Sequence, residues 1–130
     1  MVSKYITVLD PWEAKIDQII SAPQSQQLDL WLDLGDRHYD EITNKAKLVI
    51  AGLDQEPPDN GTVAEVVWAA AHNIPVIGYR SDIRTSGREG LTYNLMIGAA
   101  IRRSGGVEVS SLEALEKALQ ARVKHLGPKE

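Results

Sequence analysis

Two carboxylates, Asp59 and Glu65, carry the chemistry that this sequence could do. They lie in the stretch Asp54-Gln-Glu-Pro-Pro-Asp59-Asn-Gly-Thr62-Val-Ala-Glu65, between two strongly apolar strand-like runs. An ionised carboxylate at the floor of a pocket can attack a sugar carbon, and a second that holds a proton can pass it to the leaving group. Glu65 reads as the attacking group. In the first turn of a helix it would meet unpaired N–H groups and the helix dipole, which favour its negative charge. Asp59 reads as the proton carrier, because a strained and desolvated loop raises a carboxyl pKa. A plainer reading stands beside this one: Glu in a first helical turn and Asp just before it are favoured there without any catalytic role. Asp54, at a strand end, is open to both.

The elements that must position these groups follow from periodicity. Lys47-Leu-Val-Ile-Ala-Gly-Leu53 and Ile74-Pro-Val-Ile-Gly-Tyr-Arg80 read as strands buried on both faces, as in a parallel sheet. Thr62 to His72 between them reads as a helix, apolar nearly all round and so well buried. The resulting βαβ unit puts the acidic turn at the carboxyl end of a strand, where open parallel sheets bind ligands. Upstream, Tyr5 to Leu9 reads as a short strand, Trp12 to Ile20 as a turn of helix, and the polar Ser21 to Gln27 as a loop. Leu28 to Asn44 reads as a helix with Leu28, Trp31, Leu32, Tyr39 and Ile42 facing inward, and with Gly35 as a candidate break.

Downstream, Ser81 to Gly90 reads as a loop, and Leu91 to Arg103 as a helix closed by Ser104-Gly105-Gly106. Val107 to Val109 reads as a strand. Ser110 with Glu113 forms a capping-box pattern that opens a last helix along Leu112, Leu115, Leu119, Val123 and Leu126. The pattern predicts a single three-layer α/β domain over residues 1–130 with a mostly parallel sheet.

Bulk properties narrow the function. With 43% hydrophobic and 25% charged residues among 130, the chain is an ordinary globular protein with room for one core. A net charge of −4 gives no general attraction to nucleic acid. Without cysteine there is no disulfide framework, thiolate metal site or thiol nucleophile. His38, His72 and His125 lack ligand spacing and read as surface or helix-end residues, so neither metal nor cofactor is expected. No signal-peptide core or membrane-length apolar run is seen, which makes the cytoplasm the expected location.

Four separated blocks resemble the nucleoside 2-deoxyribosyltransferase family: Leu53-Asp54 with Asp59-Asn-Gly61-Thr62 and Glu65, Pro75 to Arg84, Tyr93-Asn94-Leu95-Met96, and Arg103-Ser-Gly-Gly106. The similarity spans roughly residues 36 to 110. It implies a flavodoxin-like fold, a homo-oligomer, and exchange of the base of a 2'-deoxynucleoside through a covalent glycosyl-enzyme. By that resemblance Glu65 matches the nucleophile and Asp59 the acid that protonates or deprotonates the base. Asp54 and Gly61 belong to the substrate-binding turn. Asn94 falls where the family presents an Asn from a neighbouring subunit to the sugar 5'-hydroxyl. Trp12, in Asp10-Pro11-Trp12-Glu13, matches the lining of the base pocket, with plain core as the other reading. Asp82 and Arg84 match the loop bordering the site, as substrate contacts or as a pair supporting that loop.

The departures from the family are specific. The usual first strand–helix unit has no counterpart before Tyr5. Gln55 stands at a common Gly, Asn60 at a common Ser, and Val66-Val67-Trp68 puts a large ring behind the nucleophile. Where the family steers its nucleophile with a carboxylate or Asn on the preceding helix, this chain aligns Tyr39, with Asp40 one position off. The implied partners are a deoxynucleoside and a free base. Two other functions are compatible: N-hydrolysis of a nucleoside or nucleotide, with Ser81, Ser86 and Arg88 meeting a 5'-phosphate, or a non-catalytic binding or structural homologue.

Overall fold

In the computed structural model the described residues are 16–54, 58–81 and 94–126. They form α1 (Ile16–Ile20), α2 (Gln24–Asn44), β1 (Val49–Gly52), α3 (Asn60–Ala71), β2 (Val76–Tyr79), α4 (Leu95–Arg103), β3 (Val107–Val109) and α5 (Leu112–Leu126). The strands pair in the order β1-β2-β3, parallel throughout, with Val49 opposite Val76 and Ile77 opposite Val107. This is an α/β architecture of the flavodoxin-like kind with a short sheet. The strand expected at Tyr5–Leu9, the loop from Asp82 to Gly90 and the start of the helix expected from Leu91 lie outside the described residues.

The core is where the βαβ pattern puts it. Ala51 and Leu53 from the first strand and its exit, Val66 and Ala69 from α3, Ile74 and Val76, and Ile97, Ala100 and Ile101 from α4 form one buried cluster. α3 and α4 pack on each other and on the strands, α2 packs on α3, and α5 packs on β2 and β3. The turn after α4 is tightly built. Gly105 adopts φ +79°, and a Cβ on Gly106 would come within 1.7 Å of the Val76 carbonyl oxygen. The buried Ser104 hydroxyl accepts from the Val76 N–H at 3.0 Å and donates to the Ile101 carbonyl at 2.5 Å, tying that turn to β2.

Several expectations are corrected. The polar stretch read as a loop is mostly helix, because α2 begins at Gln24. Pro23, at φ −53° and ψ 140°, occupies the cap position, and the Gln27 side chain reaches back to the carbonyls of Ile20 and Ala22. Polarity there marks an exposed first turn, not irregular chain. Gly35 does not break α2, since one glycine costs a helix only about 1 kcal/mol and packing overrides it. Leu28, Trp31 and Leu32 do not face inward; they are exposed, and Leu34 is the buried residue of α2. α3 is not buried all round, because Val67 is exposed. β1 is only partly buried, with Val49 and Ile50 half-exposed. The cap of α5 is Ser111, whose hydroxyl accepts from the Ala114 N–H at 3.1 Å, so the box built on Ser110 is out by one residue. Among the described residues no helix is long and apolar enough to cross a membrane.

Candidate active site at the carboxyl edge of the sheet

β1 delivers Asp54 just past its carboxyl end, and β2 delivers Ser81 just past the neighbouring one. The two meet: the Ser81 N–H donates to Asp54 Oδ1 at 2.7 Å and the Ser81 hydroxyl to Oδ2 at 3.0 Å. This double bond pattern ties together the two strand exits that frame the expected pocket. It also commits the Ser81 hydroxyl proton to a carboxylate, which leaves it unavailable to a phosphate.

Asp59 caps α3. Its Oδ2 accepts from the Thr62 N–H at 2.9 Å and from the Thr62 hydroxyl at 3.1 Å, in the geometry that satisfies an orphan donor of a first helical turn. The expectation of a desolvated Asp59 is corrected, because the residue is exposed. Gly61 has a steric reason to lack a side chain: a Cβ there would lie 3.2 Å from Asp59 Oδ2 and crowd the carboxylate.

The helix starts two residues earlier than the pattern suggested, which moves Glu65 out of the first turn and into the second. The argument from the helix dipole therefore fails, since that effect fades within the first turn. Glu65 is half-buried, and its carboxyl pKa lies above the ordinary 4.5. Loss of solvent is the main cause; the neighbouring Asp59 charge adds to it, and the charge of His38 opposes it. A carboxylate deprived of part of its hydration is costlier to ionise and readier to react.

His38 is the residue that sequence reasoning missed. It was read as a surface or helix-end group, yet it sits half-buried in the middle of α2. His72 and His125 do lie at helix ends, exposed. A signal was present: His38 is four residues after Leu34 and four before Ile42, the positions of α2 that meet the core. Beside it, Tyr39 and Trp68 bring their ring centroids to 4.6 Å, and the Trp68 indole N–H donates to the Thr43 hydroxyl at 2.8 Å. Tyr39, aligned with the family's steering residue, thus spends its ring on Trp68.

Asn94 caps α4, with Oδ1 accepting from the Met96 N–H at 2.8 Å, and it is exposed at the same edge of the sheet. The structure therefore sets Asp59 and Glu65 on one helix, the first as its cap and the second half-buried in its second turn, and joins Asp54 to Ser81. Trp12, Asp82 and Arg84 lie outside the described residues.

A model of the nucleoside 2-deoxyribosyltransferase family matches residues 3–96 of the chain. Comparison with curated proteins finds no match.

Proposed function

The chain belongs to the nucleoside 2-deoxyribosyltransferase family, and we propose that it moves 2-deoxyribose between nucleobases through a covalent bond to Glu65. The observation that carries this reading is the half-buried Glu65 on the helix that Asp59 caps, at the carboxyl edge of a parallel sheet. In the first half-reaction a Glu65 oxygen bonds to C1' of the deoxynucleoside. The C1'–N bond breaks, and the base leaves with its electron pair and a proton taken from solvent and relayed through the exposed Asp59. In the second half, a nitrogen of the incoming base attacks C1', its proton passes to Asp59, and the Glu65 carboxylate is released.

Partial desolvation supports Glu65 as the nucleophile, and the Thr62 bonds hold Asp59 in place while its exposure lets it exchange protons with solvent. Both of those bonds fall on Oδ2 and so do not occupy Oδ1. Asp54 acts in this reading by holding the strand exits together through Ser81, and Gly61 by leaving room beside Asp59. Asn94 is proposed to meet the sugar 5'-hydroxyl of a neighbouring subunit's substrate, with Trp12, Asp82 and Arg84 completing the pocket. A homo-oligomer is part of the proposal. Its support is the apolar surface left exposed by Leu28, Trp31 and Leu32 on α2 and by Leu95 and Met96 beside Asn94.

The test is base exchange from deoxyinosine to adenine, read by chromatography, with Glu65→Ala in parallel. Deoxyadenosine that forms with the native protein and disappears with the variant supports the transferase and its nucleophile. Free hypoxanthine without deoxyadenosine makes the protein a hydrolase. No turnover of deoxyinosine or of its 5'-phosphate sinks the catalytic reading altogether.

A further inference from the structure

Of the four asparagines in the chain, Asn44, Asn60, Asn73 and Asn94, only Asn60 is followed by glycine. That step opens α3, directly after the capping Asp59. We propose that Asn60-Gly61 is a self-modification site: the Gly61 amide nitrogen attacks the Asn60 side chain, and the product remodels the cap that holds Asp59. The consequence for turnover rests on the transferase reading. The modification itself does not.

The step needs no reagent beyond water. The Gly61 N–H gives its proton to hydroxide, and its nitrogen bonds to Asn60 Cγ. The bond from Cγ to the side-chain nitrogen breaks, that nitrogen leaves as ammonia, and a five-membered succinimide remains. Water then adds to one of the two ring carbonyls. Opening on one side gives an aspartate at position 60. Opening on the other gives an isoaspartate, whose main chain runs through the side-chain carbons. Nothing is oxidised or reduced.

Three features of the structure favour the attack. Asn60 and Gly61 are both exposed, so solvent reaches the amide and the ring. The capping bonds pass the Gly61 N–H by: the Thr62 N–H donates to the Asp59 carboxylate at 2.9 Å and the Val63 N–H to the Asp59 carbonyl at 3.0 Å. The Gly61 N–H is a first-turn donor with no acceptor inside the helix, and it stands at the positive end of the α3 dipole, which steadies the nitrogen as it loses its proton. Glycine supplies the rest, since no Cβ shields the nitrogen and the backbone there turns easily.

The other asparagines are controls within the same chain. After Asn44, the Lys45 N–H is committed to the Glu41 carbonyl at 2.9 Å. After Asn73, the Ile74 N–H is committed to the Ala69 carbonyl at 2.9 Å, and the branched side chain crowds it. Asn94 has its own side chain engaged, with Oδ1 accepting from the Met96 N–H at 2.8 Å. The isoaspartate is the damaging product. It adds one main-chain atom between Asp59 and Thr62, which pulls apart the bonds that Thr62 makes to the Asp59 carboxylate.

The test incubates the full chain in mildly alkaline heavy-oxygen water and maps the incorporated label by fragmentation mass spectrometry. Isoaspartate is read separately with isoaspartyl methyltransferase. Asn60→Ser and the native chain unfolded in urea run beside it. The folded native chain is expected to take up label at position 60 while Asn44, Asn73 and Asn94 stay amides. Its melting temperature and base exchange should fall in step with the isoaspartate fraction, whereas Asn60→Ser keeps both through the same incubation.

Label that enters position 60 only in urea overturns the proposal, because the first turn of α3 would then shield the step. Conversion that leaves the melting temperature unchanged overturns the remodelling of the cap. If the native chain exchanges no base from the outset, mass and melting still decide the proposal, and only the transferase reading falls.

Discussion

The two halves of α2 have the same kind of sequence and opposite fates. From Leu34 to Asn44 the helix is docked: Leu34 is buried, His38 is half-buried, Ile42 touches the core, and Tyr39 and Thr43 hold Trp68. From Gln24 to Asp33 the same stripe, Leu28 and Leu32 continuing to Tyr39, is open to solvent. Length accounts for the difference. α2 has 21 residues and α3 has 12, and the Thr43–Trp68 contact sets their carboxyl ends nearly level. At about 1.5 Å per residue, the amino-terminal part of α2 projects past the start of its neighbour by roughly 13 Å. Periodicity identifies the apolar face of a helix but does not say how far the partner beneath it extends.

The largest effect is expected where the docked half is anchored. Leu34→Ala should lower unfolding stability by about 2–5 kcal/mol, because the side chain is only 4% exposed and its loss leaves a cavity. Denaturant melts measure this, and a loss below 0.5 kcal/mol would mean that the helix is not anchored there. A smaller effect belongs to the seam. Trp68→Phe keeps a ring against Tyr39 but removes the donor to Thr43, and is expected to cost about 1 kcal/mol. If α2 were held by apolar contact alone, this variant would melt with the native protein.

Glu65 sharpens the comparison through pH. The folded-state pKa of Glu65 is raised above 4.5, so the fold favours the protonated form. Its stabilising contribution is complete below the unfolded value and is lost as pH rises through the higher folded value. Glu65→Gln keeps the shape without the charge, so it should raise the melting temperature at neutral pH while base exchange disappears. The gain should shrink on acidification and vanish below the unfolded value near 4.5. A gain that persists at low pH would trace to packing and not to ionisation.

What was legible in the sequence follows the same division. The β1–α3–β2 unit and the carboxyl-edge location of the acidic turn were readable, because buried parallel strands and their crossover helix carry continuous local signals. So were β3 and the Ser104-Gly105-Gly106 stop. The start of α3 was not, because Asn60 and Gly61 are poor helix formers, and only the capping bonds of Asp59 reveal that they lie inside it. That two-residue error took Glu65 out of the first turn, and the burial that raises its pKa is a tertiary effect with no local signal. His38 carried a signal in its spacing from Leu34 and Ile42, but the docking of α2 that half-buries it is a tertiary contact. Gly35 misled for a related reason. A Cβ there would meet nothing within 4 Å, so Gly35→Ala is expected to add up to about 1 kcal/mol by helix propensity alone.

The smallest effect on the monomer is expected in the overhanging half, and there it separates two roles for one surface. Leu28 is 67% exposed and Leu32 is 59% exposed, so Leu28→Gln with Leu32→Gln removes little that the isolated fold buries. Stability in dilute solution should change by no more than about 0.5 kcal/mol. The proposed oligomer should behave differently, since apolar side chains clustered on one helix face hold subunits together by the area they hide. Sedimentation of the double variant is therefore expected to show smaller species than the native chain at equal concentration. Base exchange should fall with assembly if Asn94 serves a neighbour's site. Unchanged sedimentation would remove the overhang from the interface and leave Leu95 and Met96, beside Asn94, as the surface to vary next.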